Sequence, residues 1–374
     1  MRVRRHRDPQ ECRDETTGIA EYGLDIASKI PISTAPPAPR SASGSPASGN
    51  ASEQGVWNWP GSLALHHGDH LPQVSVGWHV EGRAGAPVIA ALGGISAHRR
   101  VFDAQGSGQG WWSELAGPGR PLDSQRVRVL GIDYLGASGE STGPRRGQAF
   151  PSISSYDQAQ ILRGLMDHLG IARLRAIVGA SYGGMVALAF AERFPERVEQ
   201  LLVISAADRT HPMATAWRSV QRRIVRFALS ADRPAEGLEL ARSLAMATYR
   251  SPQEFAARFG FAPTQQEGLF VFPVEQYLIA RGRDYAARYV PESFLCLSES
   301  IDLHAVEAQR VTVPTTLVAV REDQLVPLGD MRALSAALPR ARLHEISSLF
   351  GHDAFLKEAQ LLRPIFACLY GEPE

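Results

Sequence analysis

Short apolar runs separated by glycine, proline and polar residues recur along the chain from residue 71 onwards. The runs at 88–94 (VIAALGG), 126–133 (RVRVLGID) and 198–206 (VEQLLVISA) are mostly apolar, which indicates strands buried on both faces. The stretch 73–80 (QVSVGWHV) alternates instead and predicts a strand at an exposed edge. Residues 153–171 repeat their leucine and isoleucine positions at helical spacing, so we expect a helix there.

The order of these elements predicts an α/β fold. Strands that alternate with helices and are apolar on both faces form a mostly parallel central sheet with helices on both faces. The alternation stops near residue 209, where a mainly helical pattern begins. Strand patterns return at 311–320 and 341–348, and a last helix is expected over 353–370. A helical insertion into an α/β domain explains this order.

Three regions follow from the pattern. Residues 1–55 are predicted to be a disordered leader, because much of this stretch is rich in proline, alanine, serine and glycine. Residues 56–208 and 306–374 form the α/β domain, and 209–305 form a helical lid insertion. The basic start is not followed by an apolar segment, and no run of about eighteen apolar residues occurs, so neither a secretory signal nor a membrane span is expected.

Composition narrows the function classes. Lys+Arg and Asp+Glu both number 39 in 374 residues, whereas nucleic-acid binders carry a basic excess, so no nucleic-acid partner is expected. The cysteines Cys12, Cys296 and Cys368 lack CxxC spacing, which argues against a disulfide framework and fits a reducing cytoplasm. The histidines lack metal-binding spacing, so no metal site is expected.

A G-x-S-x-G sequence at 179–183 (GASYG) carries the first chemistry. The apolar strand 174–178 precedes it and a helix rich in small residues follows, which is the strand–turn–helix setting that this motif needs. Such a turn holds the serine in strained backbone geometry, so small residues must flank it. Ser181 is therefore the predicted nucleophile, at the positive end of a helix dipole.

A serine hydroxyl needs a base, and the base needs a carboxylate that orients it. In a fold of this kind the partners follow in the order Ser, acid, His. Asp323 lies just past the strand that ends near residue 320, and its neighbour Glu322 is the main competitor, with Asp330 further away. His352 follows the last predicted strand and is the expected base.

Main-chain N–H groups should stabilise the oxyanion. We predict the N–H of Tyr182, the residue after the nucleophile, and the N–H of Gly93, in the loop 92–96 (LGGIS). Glycines in that loop let the backbone approach a substrate closely. His98 lies on the same loop and is expected to be structural.

Several separated segments resemble the homoserine O-acyltransferases of the α/β-hydrolase superfamily, and the resemblance covers about residues 70–374. The segments are 111–144 (WWSELAGPGRPLDSQRVRVLGIDYLGASGESTGP), 179–198 (GASYGGMVALAFAERFPERV), 237–251 (GLELARSLAMATYRS), 272–289 (FPVEQYLIARGRDYAARY), and the loops 321–327 (REDQLVP) and 347–358 (SSLFGHDAFLKE).

The resemblance implies an activity. In that family a serine takes an acyl group from acyl-coenzyme A and passes it to an amino-acid hydroxyl in methionine biosynthesis. Ser181, Asp323 and His352 are then nucleophile, acid and base of a ping-pong cycle with L-homoserine as acceptor. Acyl-CoA is a co-substrate, and no bound cofactor is implied. The insertion is then a lid and the contact of a homodimer.

The resemblance also implies how the amino acid is bound. Arg242 would pair with the α-carboxylate, a task suited to a guanidinium fork, and Asp353 would accept the α-ammonium group. From the residues alone, a surface arginine and a helix N-cap aspartate are the alternatives. Arg222 is a second candidate for the carboxylate.

The acyl donor stays open between succinyl and acetyl. The chain departs from the family pattern in its first loop, in Ala180 and Tyr182 of the elbow, and in a short loop after 141–144. A succinyl group needs a cation for its carboxylate, which Arg99, Arg100, Arg145 and Arg146 are placed to provide, so succinyl is slightly favoured. These arginines equally suit solvent or the phosphates of coenzyme A.

Three other functions remain. An esterase or thioesterase has the same triad, and serine O-acylation in cysteine biosynthesis differs only by one methylene in the acceptor, worth about 1–3 kcal/mol. A non-catalytic protein of the hydrolase fold is a third reading, but such proteins usually lack a triad member.

Overall fold

The computed structural model of the protein describes residues 50–103 and 110–371. In chain order, the strands of these residues are β1 (Asn50–Asn58), β2 (Leu63–Ala64), β3 (His70–Leu71), β4 (Ser75–Arg83), β5 (Val88–Leu92), β6 (Ala116–Gly117), β7 (Leu122–Asp123), β8 (Arg128–Ile132), β9 (Ala176–Ala180), β10 (Leu201–Ile204), β11 (Thr264–Gln266), β12 (Leu269–Val271), β13 (Thr315–Val320) and β14 (Ala341–Ile346). The α-helices are α1 (Ser155–His168), α2 (Tyr182–Arg193), α3 (Pro212–Ser230), α4 (Pro234–Tyr249), α5 (Pro252–Arg258), α6 (Pro273–Ala286), α7 (Pro291–Asp302), α8 (Leu328–Ala337), α9 (Ala354–Lys357) and α10 (Ala359–Leu362).

Eight strands form one sheet in the order β1-β4-β8-β5-β9-β10-β13-β14. The pairs β1/β4 and β4/β8 are antiparallel, and every pair from β8 to β14 is parallel. The predicted α/β-hydrolase architecture, a mostly parallel sheet covered by helices, is therefore confirmed. No helix within the described ranges is long and apolar enough to cross a membrane.

The central strands are buried on both faces, as their apolar runs predict. Along β9 the side chain of Ile177 joins one hydrophobic cluster, whereas Ala176 and Val178 join the cluster on the opposite face. Leu202 and Val203 of β10 separate in the same way. Because successive side chains of a strand point to opposite faces, a run without polar residues requires a helical layer on each side.

The edge of the sheet differs from the prediction. β4 is not an exposed-edge strand, because its residues 76–82 are buried and β1 pairs along its length. β1 begins at Asn50, so the predicted disordered leader does not reach residue 55. Residues 1–49 lie outside the described residues, and for them the leader stays a prediction. The sequence of β1 is mostly polar and therefore does not predict a strand. Pairing with β4, rather than burial of its own apolar side chains, holds β1 in place.

The predicted last helix over 353–370 is broken into short pieces. α9 and α10 have four residues each, and a 3₁₀ turn covers Ile365–Tyr370. Pro364 lacks the N–H that a continuous helix needs, which explains the interruption before this turn.

The helices α3 to α7 lie within the predicted insertion 209–305, and the hairpin β11/β12 interrupts them. Arg209 and Ala305 pair in an isolated antiparallel bridge, so the chain leaves and re-enters the α/β domain at one place. A small hydrophobic cluster that includes Val225, Leu238 and Phe294 holds the inserted helices together.

The start of α2 packs unusually closely against the end of β5. A Cβ atom at Gly183 would lie 2.1 Å from the carbonyl oxygen of Leu92, and one at Gly179 would lie 2.3 Å from the carbonyl oxygen of Gly183. Backbone atoms cannot move aside as a side chain can. The small flanking residues expected of the serine turn are therefore a packing requirement.

We predict that Gly183→Ala destabilises the protein by about 1–3 kcal/mol, because the added methyl group must push backbone apart. Thermal unfolding followed by circular dichroism measures the loss. Gly329 is the matched control, since it is also the second residue of its helix, α8, and a Cβ atom there meets no heavy atom within 4 Å. Equal melting temperatures for Gly183→Ala and Gly329→Ala would contradict the packing argument.

Candidate active site

Ser181 stands at the tight turn between β9 and α2. Its backbone has φ 54° and ψ −122°, in the positive-φ region that residues with a side chain rarely adopt. The N–H of Ser181 donates to the carbonyl of Ile204 in the neighbouring strand at 2.9 Å. The strand pairing and the close packing of α2 hold this strain, which presents the hydroxyl at the helix start.

The structure brings the three predicted triad residues together. The Ser181 Oγ lies 2.8 Å from Nε2 of His352, and Nδ1 of His352 lies 2.7 Å from Oδ2 of Asp323. The other oxygen of Asp323 accepts the backbone N–H groups of Leu325 at 2.8 Å and Val326 at 3.0 Å. The carboxylate thus has fixed donors on both sides, which suits an orienting acid.

The electrostatics of His352 fit a general base. Burial lowers its pKa, but the charge and hydrogen bond of Asp323, together with the charge of Asp353, outweigh burial, so that the net pKa lies above the usual 6.5. A carboxylate at Nδ1 favours the tautomer with the proton on that nitrogen, which leaves Nε2 free to accept the serine proton.

The competing carboxylate Glu322 has a different task. It accepts the N–H of Ser348 at 2.8 Å and the hydroxyl of Ser347, so it braces the loop that leads to His352. Asp330 lines the active-site cavity, but the carboxylate bonded to His352 is that of Asp323. The sequence prediction of Asp323 over both neighbours therefore agrees with the contacts.

The predicted oxyanion residues lie at the elbow. The carbonyl of Gly93 accepts the N–H of Gly183 at 2.9 Å and the hydroxyl of Tyr134 at 2.8 Å. In a planar trans peptide the next N–H, that of Gly94, points the opposite way. Gly94 lines the cavity with Ser181, whereas Gly93 does not. Gly94 is thus the residue of this loop next to the substrate space, and the N–H donors stay a prediction.

Tyr182 connects the elbow to the lid. Its hydroxyl forms a 2.6 Å hydrogen bond with Ser300 of α7, and its buried ring packs edge-on against Tyr134 at 5.1 Å. The departure from the family pattern at this position therefore joins two layers of the protein.

Ser181 and His352 open into a cavity of about 1660 Å³ that lies between the α/β domain and the inserted helices. Typical small-molecule pockets have roughly 300–1,000 Å³, so this cavity has room for two substrates. The described residues contain no group of three or more side chains able to hold a metal ion.

Arg242 lies on α4 and lines this cavity, as the family resemblance implies. Its guanidinium group lies 4.7 Å from the ring centre of Tyr285 and 5.0 Å from that of Tyr249, and it donates to the Tyr249 hydroxyl at 3.3 Å. It has no ion-pair partner within the described parts of the chain. Arg242 is therefore not a solvated surface arginine, and its charge is available to an anion.

Asp353 also lines the cavity, directly after His352. It stands at the N-cap position of α9, but its side chain makes no capping hydrogen bond. Instead one carboxylate oxygen accepts Nε of Arg250 at 3.0 Å. This contact fixes the carboxylate and leaves its second oxygen for a ligand.

Arg222, the second candidate for the α-carboxylate, is wrongly placed for that role. It is buried between α3 and α7, where it donates to Asp302 at 2.5 Å and to the backbone oxygen of Ser298 at 2.9 Å. It does not line the cavity. Asp302, contributed by a distant part of the sequence, neutralises it.

The four arginines predicted to face a succinyl group do not line the cavity either. Arg99 pairs with Asp133 at 3.1 Å, and Arg100 donates to Gln54 of β1 at 2.9 Å. Arg145 and Arg146 are exposed on the surface. His98 also lies outside the cavity lining, and its Nδ1 accepts the N–H of Arg100, in agreement with a structural role.

Sequence reasoning missed Arg218, one turn before Arg222 on α3. Arg218 lines the cavity, and its guanidinium group donates to Oδ1 of Asp302 at 2.7 and 2.9 Å. Two arginines thus share one carboxylate, and the group retains one positive charge. The spacing of four between the arginines marks one helix face, but only the fold shows which of them reaches the cavity.

The chain matches proteins of known family. A model of the α/β-hydrolase fold matches residues 104–359. The chain is 43% identical to a homoserine O-succinyltransferase of Xanthomonas campestris pv. campestris over 79% of each chain. It is 33% identical to a serine O-succinyltransferase of Litchfieldella anticariensis over 82% of this chain and 95% of that one, and 36% identical to a homoserine O-acetyltransferase of Thermus thermophilus over 69% and 71%.

Solved structures agree at the level of the fold. A homoserine O-acetyltransferase from Bacillus anthracis superposes with a TM-score of 0.76 at 20% identity, covering 86% of this chain and 98% of that one. The esterase E22 superposes with the same TM-score at 18% identity, covering 85% and 100%. The same architecture thus supports transfer in one protein and hydrolysis in another.

We predict that Asp323→Asn lowers kcat roughly ten thousandfold, because the imidazole loses its orienting carboxylate. Activity should rise with pH as His352 loses its proton, with a midpoint above 6.5 in the parent protein. Without the Asp323 charge, the imidazole loses the strongest of the effects that raise its pKa, so the midpoint moves to lower pH. Thiol release followed across pH measures both effects.

Glu322→Gln is the matched control, since it neutralises the adjacent carboxylate. Its midpoint should stay that of the parent protein. If Glu322→Gln lowered kcat more than Asp323→Asn did, Glu322 rather than Asp323 would be the acid of the triad.

Proposed function

This chain belongs to the homoserine O-acyltransferases of the α/β-hydrolase family, and we propose that it transfers a succinyl group from succinyl-coenzyme A to the hydroxyl of L-homoserine. The observation that carries this proposal is that one cavity contains both a complete Ser–His–Asp triad and Arg242, whose guanidinium group has no ion-pair partner among the described residues. A simple ester contains no group that needs such a cation beside the nucleophile.

An amino acid fits between Arg242 and Asp353. The guanidinium group attracts the α-carboxylate, and the free oxygen of Asp353 accepts the α-ammonium group. Asp353 directly follows His352, so an amino acid held here carries its side-chain hydroxyl close to the base. Arg250 keeps Asp353 in place and does not compete for the substrate's carboxylate.

In the acylation step His352 carries one proton from the serine oxygen to the sulfur of the leaving coenzyme A, while Asp323 orients the imidazole. His352 takes the proton of Ser181 through Nε2, and the serine oxygen attacks the thioester carbonyl. The oxyanion is stabilised by main-chain N–H groups at the start of α2 and in the loop after β5. The C–S bond then breaks, and the thiolate of coenzyme A leaves with the proton from His352.

Transfer repeats these steps with a different nucleophile. The homoserine hydroxyl gives its proton to Nε2 of His352 and attacks the acyl-serine ester, and Ser181 leaves with that proton. Water is chemically able to do the same, so selectivity depends on the inserted helices, which cover the cavity and reduce its exposure to solvent.

Arg218 supports succinyl over acetyl. The Arg218–Asp302–Arg222 group keeps one net positive charge, and Arg218 is the member at the cavity wall. A succinyl group ends in a carboxylate that such a charge binds, whereas an acetyl group ends in a methyl group. The relative with 43% identity is a succinyltransferase, which points the same way.

L-Serine is the second candidate acceptor. The Litchfieldella anticariensis relative, a serine O-succinyltransferase, is aligned over 82% of this chain and 95% of its own, whereas the Xanthomonas relative is aligned over 79% of each. Serine presents the same α-carboxylate and α-ammonium groups, so Arg242 and Asp353 do not discriminate between the two acceptors.

A homodimer formed by the insertion completes the proposal. Met213, Val220 and Phe227 are exposed on α3 and lie seven residues apart, so they share one face of the helix. Phe227 has 76% of its surface exposed, and Leu240 of α4 has 59%. An apolar stripe of this kind is typical of a protein contact.

The test of the proposed function is a matrix of two donors and two acceptors. We expect thiol release from succinyl-CoA that depends on L-homoserine and exceeds the release with L-serine or with acetyl-CoA. The same matrix with Arg218→Met should show a loss of tenfold or more in kcat/KM for succinyl-CoA and a smaller loss for acetyl-CoA, because only succinyl has a charge to lose.

Arg223 is the control position, since it is exposed on the same helix outside the cavity. Thiol release in the absence of an amino acid would show that the protein hydrolyses the thioester instead of transferring the acyl group. If Arg218→Met lowered kcat/KM equally for succinyl-CoA and acetyl-CoA, Arg218 would not bind the succinyl carboxylate.

Phe227→Asp should convert the dimer into monomers, because a charge within an apolar contact loses its hydration. Sedimentation velocity measures the mass, and Leu361→Asp places the same charge on an exposed leucine outside the insertion. A monomeric parent protein, or a Phe227→Asp dimer as stable as the parent, would contradict the proposed contact.

A further inference from the structure

A second group of cations lines the cavity, and apart from Arg250, which holds Asp353, its members have no role in the steps above. It consists of Arg250, Arg258, Arg281 and Lys357, which we term the cation cluster. Its members come from the end of α4, α5, α6 and α9, so four separate segments direct positive charge into one space.

The carboxylates around the cation cluster do not balance it. Arg250 and Arg258 share Glu254, at 3.8 and 3.3 Å. Arg281 pairs with Asp284 at 3.0 Å. Among the described residues, the third acid paired with the cluster is Asp353, bound to Arg250 on one side and proposed to face the amino-acid substrate on the other. Once the substrate's ammonium group occupies Asp353, two carboxylates face four cations.

Lys357 contributes a positive charge that no carboxylate around the cation cluster balances. It is half-buried, and its ammonium group has no hydrogen-bond or ion-pair partner in the described ranges 50–103 and 110–371. Burial lowers its pKa, and the charges of Arg250, Arg258 and Arg281 lower it further, while Asp353 acts in the opposite direction. An ammonium group kept beside three guanidinium groups is unfavourable until an anion joins them.

We infer that the cation cluster binds the phosphate groups of the acyl donor's coenzyme A. This inference rests on the proposed function, because it gives the acyl-CoA of that reaction its second point of attachment. Guanidinium groups bind phosphate through paired N–H donors, and a lysine adds a point charge, so the cluster combines both modes of phosphate binding.

The shape of the cavity supports a long donor. The same cavity of about 1660 Å³ reaches from Ser181 to the cation cluster, so a thioester at the serine and an anionic end at Lys357 occupy one continuous space. The cations beside the nucleophile, Arg218 and Arg242, already have proposed partners in the two smaller carboxylates. The phosphates are the substrate charges that remain without a partner.

The experiment compares succinyl-CoA with succinyl-pantetheine, which has the same thioester and no phosphate. In the parent protein kcat/KM should favour succinyl-CoA, and added salt should reduce this preference. Lys357→Met and Arg281→Met should each lower the preference, expressed as the ratio of the two kcat/KM values, about tenfold. Lys357→Arg keeps the charge and should keep the preference.

Arg283 is the matched control, since it lies two residues from Arg281 on α6, is 70% exposed at its side chain and does not line the cavity. Arg283→Met should retain the parent's preference. A parent protein that uses both thioesters equally, or variants that lose both equally, would overturn the inference and leave the transfer reaction intact.

A failure of the proposed function can be told apart from a failure of the phosphate site. If neither thioester supports transfer to homoserine, the proposed function is wrong, and calorimetry with free coenzyme A and with pantetheine decides the inference by itself. Tighter binding of coenzyme A that Lys357→Met abolishes would support the phosphate site. Equal affinities for the two compounds would refute it.

Discussion

The geometry of the site depends on the contact between the start of α2 and the end of β5. Gly183 lies so close to the Leu92 carbonyl that no side chain fits, and its N–H is bonded to the Gly93 carbonyl. This contact holds Ser181 at positive φ and fixes the loop that faces it. A strained residue persists only where its surroundings over-determine it, and here a strand, a helix and a loop meet at one residue.

The parts of the fold that were predictable from sequence are those that local pattern determines. Ser181 is recognisable from five residues and their flanks, and Asp323 and His352 follow because the carboxyl ends of parallel strands meet at one edge of a sheet. β1 was not predictable in this way. Its sequence, NASEQGVWN, has little apolar surface, and its hydrogen bonds to β4 and the contact of Arg100 with Gln54 hold it.

Charged residues were the least predictable part of the site, for a physical reason. The positive charge that an arginine offers to a substrate depends on whether the carboxylates around it balance that charge, and those carboxylates come from anywhere in the chain. Arg99 meets Asp133, and Arg222 meets Asp302 eighty residues away, so both are occupied. Arg242, surrounded by tyrosine rings, stays available because aromatic faces attract a cation without neutralising it.

The distribution of charge in the cavity also bears on why transfer prevails over hydrolysis. Water, the competing nucleophile, makes no use of Arg242 or Asp353, whereas the proposed amino acid uses both. Binding energy from these fixed charges favours only a nucleophile that carries complementary groups, and it positions the acceptor hydroxyl while the acyl-serine ester exists. On the proposed function, we expect a cavity with the same triad but without Arg242 and Asp353 to give its acyl group to water, so the acceptor site beneath the inserted helices, more than the serine itself, would distinguish a transferase from an esterase of the same fold.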